Sequence, residues 1–276
     1  MTEGLDQDAL NRIAGALERL SPAPRPDEDL TAHRAYHWDG SHIGAIADFR
    51  PLDFDLLCAI DDQKARALEN SARLAKGHAA HDVLLWGSRG MGKSALIKSV
   101  IHMLQEQGQD IALIETASDH LDSLPDLFDR LRGSRRPYII FVDDISFDET
   151  SPAPRQLRSL LEGGASARPE NVRLYATSNR RHIVARNMAE QDDPINPRDV
   201  VDDRLALSDR FGLRLGFHAA TQDDYLAMTA QYAQRFDLPH DPDDALLWAK
   251  QRGSRSGRIA WQYTAEIAGR AGKAIG

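Results

Sequence analysis

Cysteine occurs once, at Cys58, so no internal disulfide can form and the chain must fold on its core alone. That usage fits a reducing compartment. Cys58 lies in Leu-Leu-Cys-Ala-Ile, where a small buried hydrophobe is expected in place of a reactive thiol. Long apolar runs are also missing: none approaches the roughly 20 residues of a membrane-spanning helix. The acidic start, Met-Thr-Glu-Gly-Leu-Asp, is unlike a signal peptide, so a cytoplasmic location is expected. Positive charge is not in excess: 34 Lys and Arg stand against 42 Asp and Glu, which argues against a surface dominated by nucleic-acid binding. There is no internal repeat and no long low-complexity tract. With 42% hydrophobic and 28% charged residues, the 276-residue chain is expected to fold, as one α/β domain with a smaller one appended.

Glycine is concentrated where it carries information. Gly87-Ser-Arg-Gly-Met-Gly-Lys-Ser94 fits the phosphate-binding loop, a Gly followed by four residues and Gly-Lys-Ser. Without a Cβ, Gly87, Gly90 and Gly92 let the backbone curl and aim successive N–H groups at an anion. Lys93 supplies a point charge for the outer phosphates, and the Ser94 hydroxyl suits Mg²⁺. A chance match is expected on the order of once per few hundred sequences of this length. The context makes chance less plausible still. His81-Asp-Val-Leu-Leu-Trp86 reads as a buried strand, and Ala95 to Leu104 as a helix with Leu96, Val100 and Leu104 on one face.

Further strands are expected at 111–115, 138–142, 172–176 and 213–217, alternating with helices at 127–131 and 153–162. Such alternation implies a parallel sheet with helices on both faces. Before the loop, Asp61 to Ala75 reads as a helix with Ala65, Leu68, Ala72 and Ala75 on its apolar face. Residues 33 to 58 hold aromatics and glycines without periodicity and read as short irregular strands and turns. Leu10, Ile13, Leu17 and Leu20 mark an N-terminal helix, broken by Ser21-Pro-Ala-Pro-Arg-Pro26. That helix is either a docking element or a loose tail. After Phe217 only helices follow: one capped by Thr221 and Asp224, one opened by Asp241-Pro242, and one from about Ser256. The expected division is 1–50 for the N-terminal helix, linker and irregular strands, 51–219 for the nucleotide-binding core, and 220–276 for a helical lid.

The apolar strand Tyr138 to Val142 ends in Asp143-Asp144. The first acid can hold the hydration shell of Mg²⁺ and the second can orient and partly deprotonate an attacking water. A pair of turn aspartates is the bland alternative, weakened by the phosphate loop nearby. The fourth strand of the core runs into Thr177-Ser-Asn179, whose amide can reach a γ-phosphate or the water. Arg210, in Leu207-Ser-Asp-Arg-Phe-Gly-Leu213, can stabilise charge at a neighbouring subunit's nucleotide, with an ion pair to Asp202 or Asp203 as the alternative. Arg258, in Gly253-Ser-Arg-Ser-Gly-Arg258, can fold down onto the phosphates.

In this order, these motifs resemble those of the AAA+ ATPases. More narrowly, Leu84-Leu-Trp-Gly87, Phe141-Val-Asp-Asp-Ile-Ser-Phe147, Tyr175-Ala-Thr-Ser-Asn-Arg-Arg-His182, Ser208-Asp-Arg-Phe-Gly-Leu213 and Ser254-Arg-Ser-Gly-Arg258 resemble the family catalogued as domain of unknown function 815. The resemblance covers roughly residues 50 to 270. It implies a P-loop NTPase fold of AAA+ type: a five-stranded parallel sheet of order 5-1-4-3-2 flanked by helices, with a small C-terminal helical lid. It also implies ATP and Mg²⁺ as ligands. Asn179 would be the first sensor, Arg210 (or Arg204) the finger in a homo-oligomer, and Arg258 the second sensor. Nucleotide would contact Ser88, Arg89, Met91 and Ala95 beside the residues already named, with Ile60 and Asp61 near the adenine. One departure stands out. The water-activating position carries Asp144 where the wider group has Glu, a carboxylate set back by about 1 Å, and such a misplacement can cost on the order of 10²-fold.

Three readings stay open on sequence alone: a Mg²⁺-dependent ATPase, slow or partner-stimulated, acting on an unknown protein target; a nucleotide-gated assembly module with negligible hydrolysis; and, less favoured, a small-molecule kinase. Nucleic-acid binding through Arg130, Arg132, Arg135 and Arg136, or through Arg180, Arg181 and His182, is a weaker expectation, since such clusters are usually solvated faces.

Overall fold

The computed structural model describes residues 7–20, 27–145, 152–162, 168–179 and 207–275. Its strands are β1 (Ala35–Trp38), β2 (Ile43–Ala45), β3 (Val83–Gly87), β4 (Ala112–Thr116), β5 (Tyr138–Val142), β6 (Val172–Ser178) and β7 (Leu213–Phe217). Its helices are α1 (Gln7–Leu20), α2 (Asp61–Ala75), α3 (Lys93–Glu106), α4 (Leu124–Leu131), α5 (Ala153–Glu162), α6 (Gln222–Arg235), α7 (Pro242–Gln251) and α8 (Gly257–Arg270). They form one sheet of order β2-β1-β4-β5-β6-β3-β7, parallel except for β2. The five expected core strands therefore stand in the order 5-1-4-3-2. The sheet is larger than expected, because β1 pairs parallel to β4 and carries β2 beyond it. The boundary at residue 50 consequently cuts across the sheet.

That extension explains the aromatics upstream. β4 is apolar on both faces and would otherwise present an open edge, which β1 closes while burying Tyr36, Trp38 and, from β2, Ile43. Two arginines of the 130–136 cluster lock this edge. Arg130 lies over the Trp38 ring, 4.9 Å from its centroid, and pairs with Asp27 at 2.6 Å. Arg136 is buried and donates to the Leu30 and His33 carbonyls at 2.6 and 2.8 Å. Arg132, just past the end of α4, pairs with Asp129 on it. For Arg130 and Arg136 the structural role therefore displaces the nucleic-acid one; Arg180, Arg181 and His182 lie outside the described residues.

The sheet separates two cores. One face is covered by α2, α3 and the C-terminal helices, the other by α4 and α5. α2 departs from expectation in part: Leu68, Ala72 and Ala75 pack against the core as half-buried residues, but the face turned fully inward is a neighbouring one. Its buried residues are Ala67, Asn70, Ser71 and Leu74, while Ala65 is exposed. Two polar residues mark this face because they are satisfied there. Asn70 Nδ2 donates to the His81 carbonyl and to the Tyr175 hydroxyl, both at 2.9 Å, and Ser71 Oγ lies 2.9 Å from the same hydroxyl. The C-terminal helices begin as their caps dictate. Thr221 and Asp224 form a reciprocal capping box, Asp241 caps α7 ahead of Pro242, and Ser256 caps α8. α1 shows its apolar face, Leu10, Ile13 and Leu17, to solvent. No helix among the described residues is long and apolar enough to cross a membrane.

Candidate nucleotide-binding site

The C-terminal ends of β3, β5 and β6 converge on one cavity of about 340 Å³. The loop between β3 and α3 needs its glycines for distinct reasons. Gly87, Gly90 and Gly92 all have positive φ, at 120°, 73° and 85°. At Gly87 a Cβ would also meet the Phe217 carbonyl oxygen of β7 at 2.1 Å, so no other residue fits. Lys93, at the start of α3, is buried. Its Nζ donates to the carbonyls of Gly87 and Ser88 at 3.0 and 2.9 Å and to Asn179 Oδ1 at 3.0 Å. Burial pushes Lys93 down to about 8, against the upward pull of Asp144 and Asp143.

The acidic pair leaves β5 in unusual backbone. Asp144 has φ 52°, a left-handed conformation rare outside glycine. Its N–H donates to Asp143 Oδ1 at 3.1 Å and to Thr177 Oγ1 at 2.8 Å. Asp143 Oδ1 accepts from Ser94 Oγ at 2.7 Å and from Thr177 Oγ1 at 2.6 Å. Asn179 donates its amide to Asp144 Oδ1 while accepting from Lys93, so it joins the lysine to the second acid.

The lid closes the other wall. Arg258 lines the cavity, and its backbone N–H donates to the Gly90 carbonyl at 3.0 Å. The approach is close: a Cβ on Gly257 would sit 3.2 Å from that carbonyl oxygen. The cavity also has apolar lining, from Leu57, Cys58 and Ile60 of the core and from Met228, Tyr232 and Trp261 of the lid. α6 is tied to this core segment by Gln231 Nε2, which donates to the Asp55 carbonyl at 2.7 Å, and by the Arg235–Asp53 ion pair at 3.0 Å. Burial raises the Cys58 thiol above its ordinary value, which suits packing in place of reactivity.

The profile of a family described as "Protein of unknown function (DUF815)" matches residues 31–271. The chain belongs to the DUF815 family. No curated protein matches it. Among solved structures, the Thermotoga maritima RuvB Holliday junction branch migration motor superposes with a TM-score of 0.51 at 18% identity, covering 82% of this chain and 68% of RuvB. The Aeropyrum pernix ORC1 protein, solved in complex with DNA, gives a TM-score of 0.56 at 19% identity, covering 82% and 66%. Both are AAA+ ATPases, and at these identities the likeness establishes an AAA+ fold for this DUF815 member. A fold of that kind binds nucleotide in general.

Of the residues expected from sequence, Ile60, Gly90, Met91, Gly92, Lys93, Ser94, Ala95, Asp143, Asp144, Asn179 and Arg258 line this cavity. Gly87 and Ser88 stand behind it as carbonyl acceptors for Lys93. Arg89 and Asp61 are exposed and outside the lining. Arg210 also lies outside it and pairs with Glu162 at the end of α5. Arg204, Asp202 and Asp203 lie outside the described residues. The sequence reading missed Thr177 as a contact of both acids, and the lid aromatics Tyr232 and Trp261 as cavity wall. The first has no local signal. Tyr232 does belong to the apolar stripe of α6, which marks packing without saying against what.

Proposed function

We propose that this DUF815 member is a Mg²⁺-dependent ATPase of AAA+ type, in which ATP binding and hydrolysis reposition the 220–276 lid against the 51–219 core and, through a homo-oligomer, act on a protein target. The reading rests on one observation: the phosphate loop, both acids, Asn179 and the lid arginine meet in one cavity whose remaining lining is largely apolar. A nucleotide combines the same two characters, a polyanion at one end and a flat base at the other. The base would lie toward Ile60, Tyr232 and Trp261, and the phosphates along Gly90 to Ser94 under Lys93 and Arg258.

Ser94 Oγ and the Asp143 carboxylate, joined by a 2.7 Å hydrogen bond at the cavity wall, are hard oxygen donors of the kind Mg²⁺ takes. These two residues would hold the ion, which when bound neutralises charge on the β- and γ-phosphates. Asp144 would take a proton from the attacking water, oriented by Asn179. Arg210, which lies outside its own cavity and pairs with Glu162, would have to leave that partner to serve a neighbouring copy. With Arg130 and Arg136 engaged inside the chain, a protein target is favoured over nucleic acid.

Calorimetric titration of ATP with Mg²⁺ tests the reading. Binding is expected, with Lys93→Ala weakening it at least about tenfold, the scale of one charge-assisted hydrogen bond. No heat in the wild type, or unchanged affinity in Lys93→Ala, overturns the proposal. A second reading, a nucleotide-gated assembly module, is favoured by the Asn179 amide bound to the shorter Asp144 carboxylate. Phosphate release from Asp144→Glu separates the two: a large gain supports the gate, little change supports a competent native enzyme.

A further inference from the structure

Three consecutive residues after β5 are bound by one threonine. The Thr177 hydroxyl donates to Asp143 Oδ1 at 2.6 Å and accepts the Asp144 N–H at 2.8 Å, and the Thr177 carbonyl accepts the Ile145 N–H at 2.8 Å. Thr177 is buried, next to last in β6, and lies 33 residues from Asp144 in sequence. The middle residue of the three, Asp144, has the left-handed backbone at φ 52°. A residue with a Cβ holds that conformation when its surroundings fix it, and here the Asp144 N–H is fixed by Thr177 and by Asp143.

We infer that Thr177 is a positioning residue: its single hydroxyl sets the rotamer of Asp143 and the backbone of Asp144 together, and so places the acid that holds Mg²⁺ and the acid that meets the water. The inference rests on the nucleotide reading above. The hydroxyl gives its one proton to Asp143 and accepts the Asp144 N–H on one of its two lone pairs. Asp143 Oδ1 is correspondingly committed to the protein, to Ser94, Thr177 and the Asp144 N–H. Outer contacts of this kind orient metal-binding carboxylates, and their loss typically lowers metal affinity 10- to 100-fold.

The test compares Thr177→Val, which keeps the branched shape and the carbonyl bond but loses the hydroxyl, with Thr177→Ser, which keeps the hydroxyl. ATP affinity is measured by calorimetry in EDTA and across a MgCl₂ series. Thr177→Val is expected to need at least about tenfold more Mg²⁺ for the same gain in ATP affinity, with affinity in EDTA unchanged and Thr177→Ser close to wild type. If Thr177→Val gives no cooperative melting transition, Thr177→Ala carries the same comparison. Identical Mg²⁺ dependence in wild type and Thr177→Val overturns the inference while leaving the nucleotide reading intact. Equal loss in Thr177→Ser and Thr177→Val overturns it too, because Thr177→Ser keeps the hydroxyl and would then be expected to behave as wild type. A wild type that binds no ATP in either condition removes the nucleotide reading, and this inference with it.

Discussion

Asn179 sits between opposite charges, accepting from Lys93 and donating to Asp144. Without it, the buried lysine and the exposed acid would lose their common neighbour, and the acid would be free to choose another rotamer. Replacing Asp144 by Asn leaves that geometry nearly isosteric while removing the base. Phosphate release is expected to fall by about 10² or more, the usual contribution of a general base, with ATP affinity within a few-fold of wild type. Retained turnover in a phosphate-release assay would assign the proton elsewhere. The residues of this site were legible because their chemistry is tied to position: a lysine after glycines, acids after an apolar strand. Thr177 was not legible, since what makes it matter is a neighbour 33 residues away across the sheet.

At the scale of elements, α2 shows how hydrophobicity alone can misplace a helix face. Its length was readable from sequence, from Asp61 to Ala75, but the side toward the core carries Asn70 and Ser71. Asn70 also accepts the His81 N–H at 2.9 Å, so its amide clamps the segment entering β3 as well as the Tyr175 hydroxyl. Asn70→Ala is expected to lower stability by about 2 kcal/mol, because buried partners would be left unsatisfied. Ala65→Ser, on the exposed side, is expected to stay within about 0.5 kcal/mol. Urea midpoints of the two variants check this; equal midpoints would mean that the Asn70 hydrogen bonds add nothing to stability. The contact between α8 and the phosphate loop makes a second prediction. Gly257→Ala puts a methyl 3.2 Å from the Gly90 carbonyl oxygen and should push the helix start outward, weakening ATP binding several-fold with little change in melting temperature. Unchanged affinity would mean the helix yields without disturbing the loop.

For the whole molecule, the five core strands were legible as largely apolar segments, most of them beside a motif, but their order followed only from the resemblance to the AAA+ ATPases. β1 and β2, of four and three residues, are too short for any period to emerge, and their role as an edge cover follows only from pairing with β4. The lid adds a pH dependence. Burial lowers His240 below its ordinary value, against the opposing pull of Asp241. Its Nε2 lies 2.9 Å from Thr229 Oγ1, whose own proton goes to the Leu226 carbonyl, so the neutral ring donates there. An unfolded chain takes up that proton first as pH falls, so this share of stability is complete above about pH 6.5 and declines below it. Melting temperatures at pH 7.5 and 5.5 should show a smaller drop in His240→Gln than in wild type; equal drops would assign the titration to other groups.

The bond from the Arg258 N–H to the Gly90 carbonyl has a mechanical meaning. A lid joined to the rest of the chain only through a hinge could swing while the cradle for the phosphates kept its curve. Here a hydrogen bond joins the two backbones, so bending one strains the other. Release of spent nucleotide and reorientation of the last three helices would then be one motion, with one rate.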